Sequence, residues 1–125
     1  FNKIHTLIDW AVRSNMASVL TDCPHREKLG WLEVTHLMGG SIQYRYDISR
    51  LYAKQVNDMR TAQHANGMVP TIAPQYVTFS PDFIDTPEWG SAFVIIPWNL
   101  YEFGSAARQL RADEAVRRLP WFAGR

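Results

Sequence analysis

The chain has 125 residues, of which 46% are hydrophobic and 20% charged, a balance that excludes an intrinsically disordered protein and fits one modest globular domain. The formal net charge of +1, from 13 basic and 12 acidic residues, leaves no basic surplus with which to bind nucleic acid. The longest apolar stretch, residues 92–98, is much shorter than the roughly 20 residues of a membrane-spanning helix. We therefore expect neither nucleic acid nor a membrane as a partner.

The cysteine content bears on the cellular compartment, and the start of the sequence bears on the length of the protein. The single cysteine, Cys23, excludes an intrachain disulfide and leaves the cellular compartment undecided. The sequence begins without methionine, and Phe1 enters a helical pattern with no N-cap residue before it. We expect the chain to be part of a longer protein.

The first third of the chain predicts a helix, a loop and a second helix. Apolar residues recur at helical spacing over residues 1–15. Residues 21–30 are dense in charge and contain proline and glycine, which predicts a loop. A short helix is predicted over residues 31–38, with Gly39 and Gly40 ending it.

The rest of the chain predicts three more helices and one long loop. Asp47 is predicted to cap a helix over residues 47–65, which Asn66 and Gly67 would end. Residues 68–88 hold four prolines together with large apolar side chains, which indicates an irregular but packed loop. Two further helices are predicted. The first, over residues 89–103, is apolar almost all round and therefore buried, with Pro97 as a kink or restart, and the second is polar, over residues 106–119.

No stretch alternates apolar and polar residues for long enough to predict a β-sheet, and no repeat is present. The fold class is therefore mainly α. Helices joined alternately by short turns and long loops with aromatic residues favour a toroid or bundle whose loops gather at one end.

The loop at residues 21–30 carries the groups best suited to catalysis. Asp22, Glu27 and Glu33 fall within a dozen residues, beside Arg26 and Trp31. Hydrolysis of a glycoside needs one carboxylic acid to protonate the leaving oxygen, a second carboxylate to activate water or attack the sugar, and an aromatic face for the ring. Spacing alone favours the alternative, a solvated charge cluster in which Asp22 caps a helix.

The exact order of residues in this loop is more specific than its composition. The sequence Thr-Asp-Cys-Pro-His-Arg-Glu-Lys-Leu-Gly-Trp at residues 21–31 resembles the signature loop of the bacterial α-L-rhamnosidases of glycoside hydrolase family 78. Residues 66–76, residues 85–91 and the pair Pro97-Trp98 extend the resemblance. It implies a segment of an (α/α)6 barrel of six helical hairpins, and an inverting hydrolysis of terminal α-L-rhamnosyl residues.

The resemblance also implies residue roles. Glu27 matches the general acid, Asp22 a carboxylate that binds rhamnose hydroxyls, and Trp31 an aromatic residue lining the sugar pocket. Arg26, from its place beside these residues, is predicted as a further sugar contact. Family members often have an aspartate three residues after this tryptophan, where this chain has valine, so Glu33 either replaces that contact or the contact is missing. The family's general base lies outside this chain.

Other candidates rank below this loop. Glu88 and Trp89, with Asp85 nearby, are predicted to line the same cavity as a second layer around the sugar, and a turn or cap role explains Asp85 equally well. Cys23 is interpreted as a packing residue rather than a nucleophile. The four histidines show no metal-ligand spacing, and we expect no cofactor and no catalytic metal. They are His5, His25, His36 and His64.

Two classes of function follow from these observations. The first is a segment of an inverting rhamnosidase, with a rhamnose-containing carbohydrate and the rest of the barrel as its partners. The second is a non-catalytic carbohydrate-binding or helical interaction remnant of such a barrel. A third hypothesis is another kind of six-hairpin glycosidase, but the sequence of residues 22–31 argues against it.

Overall fold

The computed structural model describes residues 1–103, and all of its regular elements in that range are helices. Two isolated bridges, Met16 with Leu20 and Trp31 with Ile72, are the only strand-like pairings in this range. The mainly α class is therefore confirmed. The helix predicted over residues 106–119 lies outside the described residues. In chain order the elements are α1 (Asn2–Asn15), α2 (Leu32–Gln43), α3 (Ser49–Ala62), a 3-10 turn (Pro81–Phe83), α4 (Pro87–Gly90) and α5 (Ala92–Phe103).

Helix α2 passes through the two glycines that were predicted to end it. Gly39 is buried, and a β-carbon there would overlap the side-chain hydroxyl of Tyr52 on α3. That hydroxyl donates a hydrogen bond of 3.1 Å to the carbonyl of Thr35. The prediction of a helix end at residue 38 was wrong, because Gly39 leaves room for the buried Tyr52 hydroxyl that reaches α2 from α3, and this packing outweighs the low helix propensity of glycine.

Helix α3 starts and ends inside its predicted range. Asp47 lies one position before the N-cap, and its carboxylate accepts hydrogen bonds from the Ser49 amide, at 3.0 Å, and from the Ser49 hydroxyl. The helix ends at Ala62 because the chain then closes a turn, in which the His64 carbonyl accepts from the amide of Gly67 at 2.9 Å. Gly67 adopts a left-handed conformation, with φ of 85°, in this turn.

The hydrophobic core lies between α2, α3 and α5. Helix α5 contributes only one side to it, since Val94, Trp98 and Tyr101 are exposed. The prediction that residues 89–103 form one helix buried all round was wrong, because the stretch divides into α4 and α5 and apolar composition fixes no partner for the second face of α5. The core side chains from these elements are Leu32, Ile42, Tyr52, Val56, Met59, Phe93, Ile96 and Leu100.

Helix α1 buries few of its own apolar side chains. Val12 is buried, but Leu7 and Trp10 are about two-thirds exposed, at 68% and 65%. Its polar attachment is Asp9, which accepts a hydrogen bond from the Tyr46 hydroxyl. Asp9 also lies 3.5 Å from Arg13 and 3.6 Å from Arg45, the latter in the turn between α2 and α3.

The two long loops meet next to the start of α2. The amide of Leu32 donates a hydrogen bond of 3.1 Å to the carbonyl of Thr71, beside the Trp31–Ile72 bridge. The amide of Thr71 in turn donates to the carbonyl of Ile84, at 2.9 Å. The loop at residues 68–88 is packed, as predicted, and it lies against the loop that carries the candidate acid.

Candidate active site

Within the loop at residues 21–30, Asp22 and Leu29 close residues 22–29 into a ring. The amide of Asp22 donates to the carbonyl of Leu29, and the amide of Leu29 donates to Oδ1 of Asp22, both at 3.3 Å. Thr21, which precedes the ring, is buried and bonds through its hydroxyl to the side chain of Asn15, at 3.0 Å. The end of α1 therefore fixes the start of the loop.

The carboxyl groups of Asp22 and Glu27 interact directly across this ring. Burial acts to raise the pKa of Asp22, but hydrogen bonds from the Cys23 thiol, the Glu27 carboxyl and the amides of Cys23 and Leu29 together hold that pKa below its usual value. The loop therefore favours the ionised form of Asp22.

Trp31 orients Glu27 from the far end of the loop. Its indole nitrogen donates a hydrogen bond of 3.0 Å to Oε2 of Glu27. The same ring is stacked on Phe79, with centroids 5.1 Å apart, and lies 6.1 Å from the ring of Trp89. With Phe83, these residues form a half-buried group that we call the aromatic cluster: Trp31, Phe79, Phe83 and Trp89.

The remaining predicted sugar contacts are near this loop but not bonded to its carboxyl pair. Arg26 is exposed, and within residues 1–103 it makes no ion pair with Asp22 or Glu27. Glu33 is half-buried in the first turn of α2. Glu88 is exposed in α4, and its carbonyl accepts from His36 at 3.0 Å. The sugar contacts of these three residues stay predictions.

Two contributions to the site were missed in the sequence. The hydroxyl of Tyr76 accepts a hydrogen bond from the amide of Gly30, at 3.1 Å, and donates one of 2.8 Å to the carbonyl of Lys28. Cys23, interpreted as a packing residue, accepts a hydrogen bond from the Glu27 amide at 3.2 Å through its sulfur. The only sequence signal for Tyr76 was its place at the end of the family-like stretch 66–76.

No cluster of three or more histidine, cysteine or acidic side chains in the described part of the chain could hold a metal ion. Over the same residues, no helix is both long enough and apolar enough to cross a membrane.

Comparison with known proteins assigns the family. Residues 1–112 match the family described as the bacterial alpha-L-rhamnosidase 6 hairpin glycosidase domain, which is most of the chain, and the chain therefore belongs to that family. An alpha-L-rhamnosidase of Formosa agariphila is 39% identical over 111 residues, and one of Streptomyces avermitilis is 35% identical over 114 residues. These matches cover 81% and 90% of this chain and 11% of each relative, so the chain spans about a tenth of their length.

Solved structures agree with this assignment. The alpha-L-rhamnosidase from Dictyoglumus thermophilum superposes with a TM-score of 0.79 at 31% identity, over 97% of this chain and 14% of that one. The Streptomyces avermitilis enzyme in complex with L-rhamnose gives 0.77 at 32% identity, over 93% and 11%. The chain is thus a segment of a six-hairpin glycosidase domain of the rhamnosidase family, which confirms the resemblance stated from the sequence.

Proposed function

We propose that this chain supplies the acid half of an α-L-rhamnosidase active site, in which Glu27 protonates the departing glycosidic oxygen. The observation that carries the proposal is the placement of the Glu27 carboxyl group, which lies beside Asp22 and has one oxygen held by the indole nitrogen of Trp31 at 3.0 Å. A general acid must be held within hydrogen-bond reach of the leaving oxygen, and the Trp31 contact fixes the direction of this carboxyl group. Asp22, ionised and acceptor-only, is suited to receive hydrogen bonds from sugar hydroxyls.

The aromatic cluster supplies the second requirement of such a site. Trp31 and Trp89 present large apolar ring surface next to the acid, as sugar rings require for packing. Arg26, Glu33 and Glu88 are proposed to contact the sugar hydroxyls. The substrate class is a terminal α-L-rhamnosyl residue of a glycoside or polysaccharide, as the names of the relatives indicate.

The reaction is proposed to invert the anomeric centre, with a general base outside this chain. Inverting enzymes hold their two carboxyl groups about 6.5–9.5 Å apart to leave room for water. The interaction between Asp22 and Glu27 leaves no such room, which supports a base other than Asp22. The second carboxylate belongs to another part of the barrel, and the whole protein is proposed to be longer than this chain.

The experiment is to follow hydrolysis of an α-L-rhamnoside by the complete protein with proton NMR. Inversion predicts that β-L-rhamnose forms first and then equilibrates with the α anomer. Initial release of the α anomer would contradict the inverting mechanism. Binding of L-rhamnose without any turnover would favour the second class of function, a non-catalytic carbohydrate-binding remnant of the barrel.

A further inference from the structure

The loop that carries the proposed acid is held at its closing end by a residue from a distant part of the chain. The Tyr76 hydroxyl lies between Gly30 and Lys28. It accepts a hydrogen bond of 3.1 Å from the Gly30 amide and donates one of 2.8 Å to the Lys28 carbonyl. These two residues flank Leu29, whose amide and carbonyl both pair with Asp22. One hydroxyl therefore clamps the peptide segment that closes the ring.

The backbone at this point needs an external clamp. Lys28 has φ of 57°, in the left-handed region that a lysine adopts at an energetic cost, and such conformations persist only where the surroundings fix them. Gly30 cannot move freely towards Val19, in the segment after α1, because a β-carbon at Gly30 would already lie 2.8 Å from a methyl group of Val19. The loop is bounded on one side by Val19 and held on the other by Tyr76.

Trp31 follows Gly30 directly and donates the hydrogen bond that orients Glu27. A shift of the segment at residues 28–30 would therefore move two groups that contact the carboxyl group of Glu27, the carboxylate of Asp22 and the indole of Trp31. General acid catalysis requires the donor within hydrogen-bond reach of the leaving oxygen, so a small displacement reduces it.

We propose that Tyr76 is a positioning residue of the acid site: its hydroxyl fixes residues 28–30 and through them the orientation of Glu27. The Tyr76 hydroxyl bonds to the Lys28 and Gly30 backbone and not to Glu27. The proposal rests on the proposed role of Glu27 for its catalytic consequence, but the clamp itself is independent of that role.

The experiment compares Tyr76→Phe with Tyr44→Phe in the complete protein. Tyr44 is 94% exposed and makes no hydrogen bond through its hydroxyl within residues 1–103, so it controls for loss of a phenol alone. Residue-resolved amide hydrogen exchange measures how far the Tyr76 hydroxyl protects the Gly30 amide. In Tyr76→Phe the Gly30 amide should exchange about fivefold faster, the factor that one ordinary hydrogen bond represents. The Leu32 amide, bonded to Thr71, should keep its rate.

The effect on the proposed acid is measured as a change in kcat. In Tyr76→Phe, kcat for an alkyl rhamnoside should fall about tenfold, while kcat for an activated aryl rhamnoside should change less than about twofold, since its phenolate leaves without a proton. If Tyr76 only stabilised the fold, its replacement would lower kcat for both substrates by the same factor. Unchanged exchange at Gly30, or an equal loss for the two substrates, overturns the proposal. If the unsubstituted protein hydrolyses no rhamnoside, the proposed function fails, and the Gly30 exchange still decides whether Tyr76 clamps the loop.

Discussion

The indole nitrogen of Trp31 donates a hydrogen bond of 3.0 Å to Oε2 of Glu27, while the indole ring is stacked on Phe79 at 5.1 Å. Replacing Trp31 by phenylalanine removes the donor and keeps an aromatic face. We expect a loss of transition-state stabilisation of about 1–2 kcal/mol, seen as a lower kcat in the complete protein with little change in KM. Trp98→Phe, on the exposed side of α5, is the control, and an equal loss in both variants would contradict the role of Trp31.

The two adjacent glycines of α2 make a matched pair for stability. Gly39→Ala places a methyl group against the hydroxyl of Tyr52, and such overpacking costs about 1–3 kcal/mol in the free energy of unfolding. Gly40→Ala meets nothing within 4 Å and should stabilise the helix by about 0.5–1 kcal/mol. Urea denaturation measures both, and equal effects would show that the Tyr52 hydroxyl does not pack against Gly39 as described.

The helices over residues 1–15 and 49–62 could be predicted because periodicity and caps are local properties of a sequence. The course of α2 through Gly39 could not, since it depends on Tyr52, a neighbour in space rather than in sequence. For the site, the family-like sequence of residues 21–31 was enough to locate Glu27 and Asp22. The clamp by Tyr76 spans 46 residues to Gly30, and no local pattern encodes a contact of that range.

The attachment of α1 should depend on pH through Asp9. The hydrogen bond from Tyr46, then the charges of Arg13, Arg45 and His5, lower the pKa of Asp9 below the ordinary 3.8 despite opposing desolvation. A carboxyl with a lowered pKa in the folded state contributes stability above its unfolded pKa and loses it as the pH falls through the folded value.

Tyr46→Phe tests this directly, because it removes the largest cause of the lowered pKa of Asp9. We expect a carbon-13 NMR titration of the Asp9 carboxyl to give a midpoint below 3.8 in the unsubstituted chain and a higher midpoint in the variant. Tyr44→Phe, whose hydroxyl is exposed, should leave the midpoint unchanged. The same midpoint in all three proteins would refute the Asp9–Tyr46 contact.

The 125-residue chain on its own should be inactive and should associate. It lacks the proposed base, and its carboxyl pair is exposed rather than enclosed in a cavity. Large apolar side chains on α1 and α5 are also exposed, among them Leu7, Trp10 and Trp98. We expect no turnover of an aryl rhamnoside, together with dye binding and a concentration-dependent size by light scattering. A monodisperse monomer that binds no hydrophobic dye would contradict the segment interpretation.

The most direct test of the acid site is a comparison of Glu27→Gln and Asp22→Asn in the complete protein, each assayed with an alkyl and an activated aryl rhamnoside. Loss of the general acid should lower the rate for the alkyl rhamnoside by about 10²–10⁴-fold and affect the aryl substrate little. Loss of Asp22, a sugar contact in both ground and transition states, should lower both substrates about equally. Glu102→Gln, exposed at the end of α5, should change neither. If Glu27→Gln lowers both substrates by the same factor while Asp22→Asn shows the dependence on leaving group, the two roles are reversed and Glu27 is not the acid.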